Sequence, residues 1–290
     1  MVLSNVDRDY SLYPKVSNSE LYSLNRCKKM WSYSYEQGLV PANTPTYMSD
    51  GSYFHALMAK SFEHIKEHGG MPNVNVLSMH VQTEAMEEGN PSVEEPTRLR
   101  FVDQVEDYFA QFWNPKATVV AVEQEFYADI GLHSLDGPSV LLHGIVDAVV
   151  RDESGLLWLL EHKTSSRAWS TQQFEFATQD VLYCLAWEKL TGERPAGVQY
   201  NFFYPKRWEV RNKFVGPEQY DAVLNDTQFS LNLRYHLIGG VSPREPLYGC
   251  GGCQFRDLCY TELLGADASY LRDHAFKTDP DRAARFVEGD

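Results

Sequence analysis

The sequence predicts a mixed α/β fold. Apolar residues recur at helical spacing up to residue 113, and three β-rich segments fall between 118 and 164. A helix and a further strand, ending near Tyr204, then follow in alternation. Residues 18–36 open with Asn18 and Ser19 as cap candidates and continue as an aromatic-rich helix. A proline-containing loop, 41–49, leads to a second helix that begins at Asp50 or Ser52 and runs to His68. Residues 69–96 carry Glu84, Glu87, Glu88, Glu94 and Glu95 and read as an irregular, solvated stretch, and 97–113 return to helical spacing. Strands are expected at 118–130, 139–151 and 156–164, the last two joined by the turn Asp152-Glu153-Ser154-Gly155. A helix at 171–190, a strand at 198–204 and a helix at 217–237 complete the order. With no internal repeat and no long linker, residues 1–290 are expected to form one domain. The last residues, 266–290, form a charged tail to which the sequence assigns no role.

Composition narrows the function. The chain has 290 residues, 43% hydrophobic and 13% aromatic, enough to bury a sizeable core and to exclude wholesale disorder. With 26 basic against 40 acidic residues the net charge is −14. Indiscriminate coating of nucleic acid is thereby excluded, because that affinity comes from phosphate neutralisation by Lys and Arg. The longest apolar run, Leu156 to Leu160, is too short to cross a bilayer. The first fifteen residues carry charges where a signal peptide has an apolar stretch. The expectation is a soluble, cytoplasmic protein.

Five cysteines occur, and three of them, Cys250, Cys253 and Cys259, stand in a C-x2-C-x5-C pattern beside Gly249, Gly251 and Gly252. In a chain of this kind clustered cysteines bind metal more often than they form disulfides. Cys27 is the better fourth ligand, since Arg26, Lys28 and Lys29 flank it, whereas Cys184 sits in an apolar helical stretch as a core residue would. Four thiolates suit either zinc or a [4Fe–4S] cluster. Either would join the two ends of the chain.

The richest stretch is HGIVDAVVRDESGLLWLLEHKTSS. Asp147 interrupts an apolar run, and a carboxylate in a buried strand requires a partner. Glu161 and Lys163 are i and i+2 and share a strand face. If the two strands pair as a hairpin, Asp147 comes near them. Two carboxylates beside a lysine form a hard, oxygen-rich site for Mg²⁺ or Mn²⁺, suited to phosphodiester hydrolysis in which Lys163 orients water and offsets phosphorane charge. The plain alternative is an ion pair at a sheet edge. Gln179 and Tyr183, i and i+4 on one helix face, offer an amide and a phenol to phosphate or sugar. His55, early in its helix, offers a neutral nitrogen ligand.

Taken in order, Cys27, Gly51-x3-His55, Gly144-x-x-Asp147, Glu161-x-Lys163, Gln179-x3-Tyr183 and the trio Cys250, Cys253 and Cys259 resemble the PD-(D/E)XK nuclease superfamily. Within it, the pattern is similar to iron–sulfur RecB-type exonucleases, the group containing CRISPR-associated RecB-like nucleases and the AddB nuclease domain. The resemblance spans residues 20–260, with Val146 where the family name implies proline. It implies a restriction-endonuclease-like core, a mixed β-sheet flanked by helices. It also implies a cysteine-clipped iron–sulfur subdomain made of 18–36 and 240–262. His55, Asp147, Glu161 and the carbonyl of His162 would hold Mg²⁺ or Mn²⁺, and Asp147, Glu161 and Lys163 would be catalytic. Gln179 and Tyr183 would face DNA, and Cys27, Cys250, Cys253 and Cys259 would hold a [4Fe–4S] cluster rather than zinc. The implied activity is a DNA exonuclease acting on single-stranded or frayed ends in recombination, repair or DNA processing. Alternatives are a CRISPR-adaptation nuclease with protein partners, or a non-catalytic DNA-binding or assembly subunit. Glu123 and Glu125 would add at most a secondary acidic contact from one face of their strand. Arg26, Lys28, Lys29, Lys206, Arg207, Arg211 and Lys213 are expected to line a basic groove.

Overall fold

A computed structural model of the chain describes residues 2–6, 9–43, 46–89, 92–135, 137–245 and 250–283. In chain order the elements are β1 (Leu3–Ser4), β2 (Lys15–Ser17), α1 (Asn18–Arg26), α2 (Lys28–Trp31), β3 (Leu39–Pro41), α3 (Thr46–His68), α4 (Val74–Glu87) and α5 (Glu95–Phe112). Strands β4 (Thr118–His133), β5 (Ser139–Arg151) and β6 (Leu157–Thr164) follow, then α6 (Thr171–Glu175), α7 (Gln179–Thr191), β7 (Gly197–Tyr204) and β8 (Arg207–Phe214). The chain continues with α8 (Tyr220–Leu237), α9 (Arg256–Leu263), α10 (Ser269–Ala275), β9 (Phe276–Thr278) and α11 (Pro280–Ala283). The chain divides into two compact units.

The first unit comprises residues 1–3, 45–126 and 145–221. Its mixed sheet pairs β5 with β6 antiparallel, β6 with β7 parallel and β7 with β8 antiparallel. Alternation along the strands gives the sheet two apolar faces. Ala148, Val150, Trp158, Leu160 and Phe203 pack against Phe54, Leu57 and Phe62 of α3 and Val105, Tyr108 and Phe109 of α5. Such a layer fixes the helix that carries His55. Gly51 of α3 faces the end of β6, where a Cβ would lie 3.4 Å from Thr164 Oγ1, in van der Waals contact. The turn between β5 and β6 closes on Asp152, whose Oδ1 accepts from the backbone N–H groups of Ser154 and Leu156, with Gly155 at φ 88°. On the opposite end, α7 stops at Gly192 in the left-handed conformation.

The second unit comprises residues 4–44, 127–144 and 222–290. Here β2 pairs parallel with the first part of β5, and β3 with β9 antiparallel. Ser17 caps α1 by accepting from the Glu20 N–H at 3.2 Å, one residue before the caps expected from sequence. The expected single helix over 18–36 is broken at Cys27 and ends in a wider π turn, Ser32–Glu36. Glu262 ties the N-terminal and C-terminal segments together. Its carboxylate accepts from Tyr33 Oη at 2.6 Å and Arg272 Nη2 at 2.6 Å, with Lys29 Nζ at 3.1 Å. Lys28 likewise pairs with Glu245, and the Lys29 N–H donates to Pro243 O at 3.1 Å.

Other departures from the expected order have local causes. The stretch 69–96 contains α4, capped by Asn73, whose buried positions Val74, Ser78 and Val81 were masked among glutamates. Residues 207–214, RWEVRNKF, from which the sequence offers only groove cations, form strand β8. Its charged alternation is that of an edge strand. The expected helix 171–190 is two helices with a break at 176–178, and the tail holds α10, β9 and α11. Residues 284–290 of that tail, and Gly249, lie outside the described residues. No helix among the described residues is long and apolar enough to cross a membrane.

Candidate active site

Strands β5 and β6 hold register from Arg151↔Leu157 to Ala148↔Leu160. One step beyond, Asp147 stands opposite Glu161, and the ladder does not reach it. A buried N–H released from a ladder needs an acceptor. The His162 N–H finds one in Asp147 Oδ2 at 2.6 Å, which fixes the carboxylate where the strands part. Asp147 Oδ1 lies 3.4 Å from His55 Nδ1, carried on α3. Burial pushes the Asp147 carboxyl up, but the bond and charge of His55 and the His162 N–H hold it below its ordinary value. Burial opposes charging of His55, and Asp147 more than offsets that, raising the imidazole above its usual value.

Glu161 and Lys163 share the opposite face of β6 from the α3 layer. The Glu161 carboxylate contacts Lys163 Nζ through Oε1 and accepts from Gln179 Nε2 through Oε2 at 2.9 Å. Gln179 Oε1 lies 3.5 Å from Lys163 Nζ, so one amide at the start of α7 bridges acid and ammonium. Burial pushes Glu161 above its ordinary value, and Asp147 adds to the effect against the pull of Lys163. For Lys163 burial acts downward, and Glu161 reverses the balance, so the ammonium stays charged.

His162 alternates to the other face. Its ring stacks on Phe62 at 5.7 Å between centroids, and its Nδ1 lies 3.1 Å from Asn201 Nδ2, the residue beside it on β7. Burial brings the imidazole down to about 4, so it is neutral, and Nε2 is buried without a partner. The ring therefore makes no hydrogen bond to the acids, and His162 bonds Asp147 through its backbone N–H. Tyr183, expected to face DNA, is buried. Its ring meets Phe126 edge-on at 5.1 Å, and the environment raises its phenol, through burial first and then Glu161 and Asp147. Gln179 is half-buried and engaged with Glu161 and Lys163.

Glu123 is the residue that sequence reasoning left aside. His55, Glu123 and Asp147 each offer one ligand atom, and the three atoms lie within 4.8 Å of one another. Buried positions on β4 are odd-numbered at Val119 and Ala121 and even-numbered at Phe126 and Ala128. That one-residue slip is the mark of a β-bulge, and Glu123 lies in it with φ 44°. The expected shared face of Glu123 and Glu125 fails for this reason. The sequence offers no bulge signal such as glycine at this position. Desolvation, then the Asp147 charge, pushes the Glu123 carboxyl up to about 7.

The family model of the PD-(D/E)XK nuclease superfamily matches residues 15–260. The chain belongs to that superfamily. The mixed sheet flanked by helices is consistent with a restriction-endonuclease-like core, and nucleases of this superfamily use divalent metals, which His55, Glu123 and Asp147 could hold. No curated protein matches this PD-(D/E)XK chain. Among solved structures it is similar to SSO0001, at 13% identity and a TM-score of 0.41, covering 88% of each chain. It is also similar to a protein from Eubacterium rectale named a putative exonuclease, at 12% identity and a TM-score of 0.48, covering 85% of this chain and 90% of the other.

Lys28, Lys29, Arg211 and Lys213 are paired with carboxylates, those of Glu245, Glu262, Glu209 and Asp180 respectively. Among the described residues no three cysteine sulfurs lie within 4.8 Å of one another, closer than which a single zinc with bonds of about 2.3 Å would draw them. Within the second unit, Cys27 and Cys250 act on the Cys253 thiol, which burial raises, and Cys259 Sγ accepts from Arg244 Nε at 3.3 Å. Cys184 is a fully buried residue of α7.

Proposed function

We propose that this protein is a divalent-metal-dependent DNA exonuclease acting at single-stranded or frayed ends, in recombination, repair or DNA processing. The observation that carries the reading is that His55, Glu123 and Asp147 bring ligand atoms within 4.8 Å of one another where β5 and β6 part, with the Glu161–Lys163 pair close enough for the Asp147 charge to act on Glu161. One imidazole nitrogen with several carboxylates forms a donor set suited to Mn²⁺ or Mg²⁺. Asp147, Glu161 and His55, with Glu123 and the His162 carbonyl, would hold the ion, which would supply Lewis acidity at phosphate and a more acidic water. Lys163, kept charged by Glu161, orients the attacking water and offsets charge on the phosphorane. Gln179 holds Glu161 and Lys163 at their spacing, and Tyr183 supports that helix from within.

A [4Fe–4S] cluster on Cys27, Cys250, Cys253 and Cys259 belongs to the same proposal, with a structural role in the second unit. What supports it is the spacing of the four cysteines along the chain, together with the electrostatic influence of Cys27 and Cys250 on the Cys253 thiol.

A time course on end-labelled single- and double-stranded linear DNA, with a closed circle as control, tests the reading in Mn²⁺, Mg²⁺ and EDTA. Metal-dependent loss of linear DNA that spares the circle and vanishes in Lys163→Ala is expected. Cleavage of the circle would replace exonuclease by endonuclease. Absence of cleavage in either metal would overturn the enzyme reading and favour a DNA-binding subunit.

A further inference from the structure

Three aromatic side chains lie on the segment joining β6 to α7. Trp169 packs on Tyr200 and Phe202, and Phe174 packs edge-on against Tyr200. Phe176 does neither: it is 76% exposed. Single exposed apolar residues are ordinary on protein surfaces, so exposure alone decides nothing.

The backbone around Phe176 is held with unusual firmness. Lys213 Nζ donates to the carbonyl oxygens of Phe174 at 3.2 Å, Glu175 at 2.9 Å and Ala177 at 3.0 Å. It also pairs at 2.6 Å with the fully buried Asp180 carboxylate of α7. An ammonium has three donors, and here all three are spent on the carbonyls flanking Phe176, with Asp180 as the counter-ion. The Phe176 N–H itself donates to Gln172 O at 3.0 Å, closing α6. A largely buried cation thus fixes an arch whose apex is a solvent-facing ring. From Phe176 to Gln179, which touches Glu161, the chain can span no more than about 11 Å, the rise of about three stacked nucleotides.

Charge supplies the second part of the argument. At a net charge of −14, with Lys213, Arg211, Lys28 and Lys29 paired to carboxylates, phosphate neutralisation is a poor source of affinity. Stacking on an aromatic ring needs no cation and works for every base, provided the base is unpaired. We propose that Phe176 is a stacking platform for a base of single-stranded DNA, set within a few nucleotides of the scissile phosphate. The inference rests on the nuclease reading and gives that site its preference for unpaired ends.

The test measures binding of fluorescent oligothymidylate and of an abasic oligomer of equal length in Mn²⁺. Lys163→Ala serves as parent, so that the substrate survives, and Phe176→Ala and Phe176→Trp are made in it. About tenfold weaker binding of oligothymidylate by Phe176→Ala, recovery in Phe176→Trp and equal binding of the abasic oligomer by all three are expected. Melting should not change, since the ring is exposed. Equal oligothymidylate binding by Phe176→Ala, or an equal loss on the abasic oligomer, would overturn the platform and leave the nuclease standing. A parent that binds neither oligomer would overturn the nuclease reading and the platform with it.

Discussion

Glu123 should make the site pH-dependent. Its carboxyl, pushed by desolvation and Asp147 up to about 7, stands above the ordinary value of 4.5. Between about pH 4.5 and about 7 the unfolded chain has released this proton and the folded chain retains it, so the metal-free protein loses stability as pH rises through that window. Metal must displace the same proton. The stabilisation by Mn²⁺ in thermal melts should therefore grow from about pH 5 to about 7, and Glu123→Gln should flatten that growth. Lys163→Ala should lower cleavage by about 10²-fold or more while Mn²⁺ still raises the melting temperature, as steady-state rates and melts would show. Asp147, Glu161 and Lys163 were legible because strand alternation and the turn at Asp152 fix their relation. Glu123 was not, because a bulge shifts the very alternation on which such reasoning depends. Nor was the inward packing of Tyr183, since i and i+4 spacing names a shared helix face without saying what covers it.

Helices and strands were readable where one face is strongly apolar, as in α3, α5, β5 and β6. They were hidden where burial is sparse: α4 commits Val74, Ser78 and Val81, and β8 shows alternating charge. The segment joining the ends of the second unit depends on Glu262. Partial burial acts against its ionisation, yet bonds from Tyr33, Arg272 and Lys29 hold its carboxyl down to about 2. Stability from a carboxyl so depressed is complete above its ordinary value of 4.5 and is lost as pH falls towards 2. Glu262→Gln should cost about 1–2 kcal/mol at neutral pH. Denaturant melts should show the difference from wild type shrinking between about pH 4.5 and about 2.

At the scale of the molecule, 40 acidic residues against 26 basic leave little background affinity for duplex DNA. Whatever phosphate contact remains at the site should weaken as salt rises, because neutralising phosphates releases counterions that added salt opposes. A filter-binding series with salt-independent affinity would contradict that expectation. Protein purified without oxygen should absorb visible light through iron–thiolate bonds, which zinc, with a filled d shell, does not do. Cys253→Ser should abolish the colour. Order along the chain was enough to suggest both features, since the cysteines sit before and after the nuclease residues. The division into two compact units left no trace in composition, because β4 and β5 contribute to both without a linker.

The backbone at Glu123 has one more consequence. A φ of 44° suits asparagine better than glutamate, and a misplaced residue there costs of order 1–3 kcal/mol. Selection for folding alone would have replaced it. Glu123→Asn should melt at a higher temperature than wild type while binding Mn²⁺ more weakly, so a library ranked by thermal resistance would enrich variants that have given up catalysis.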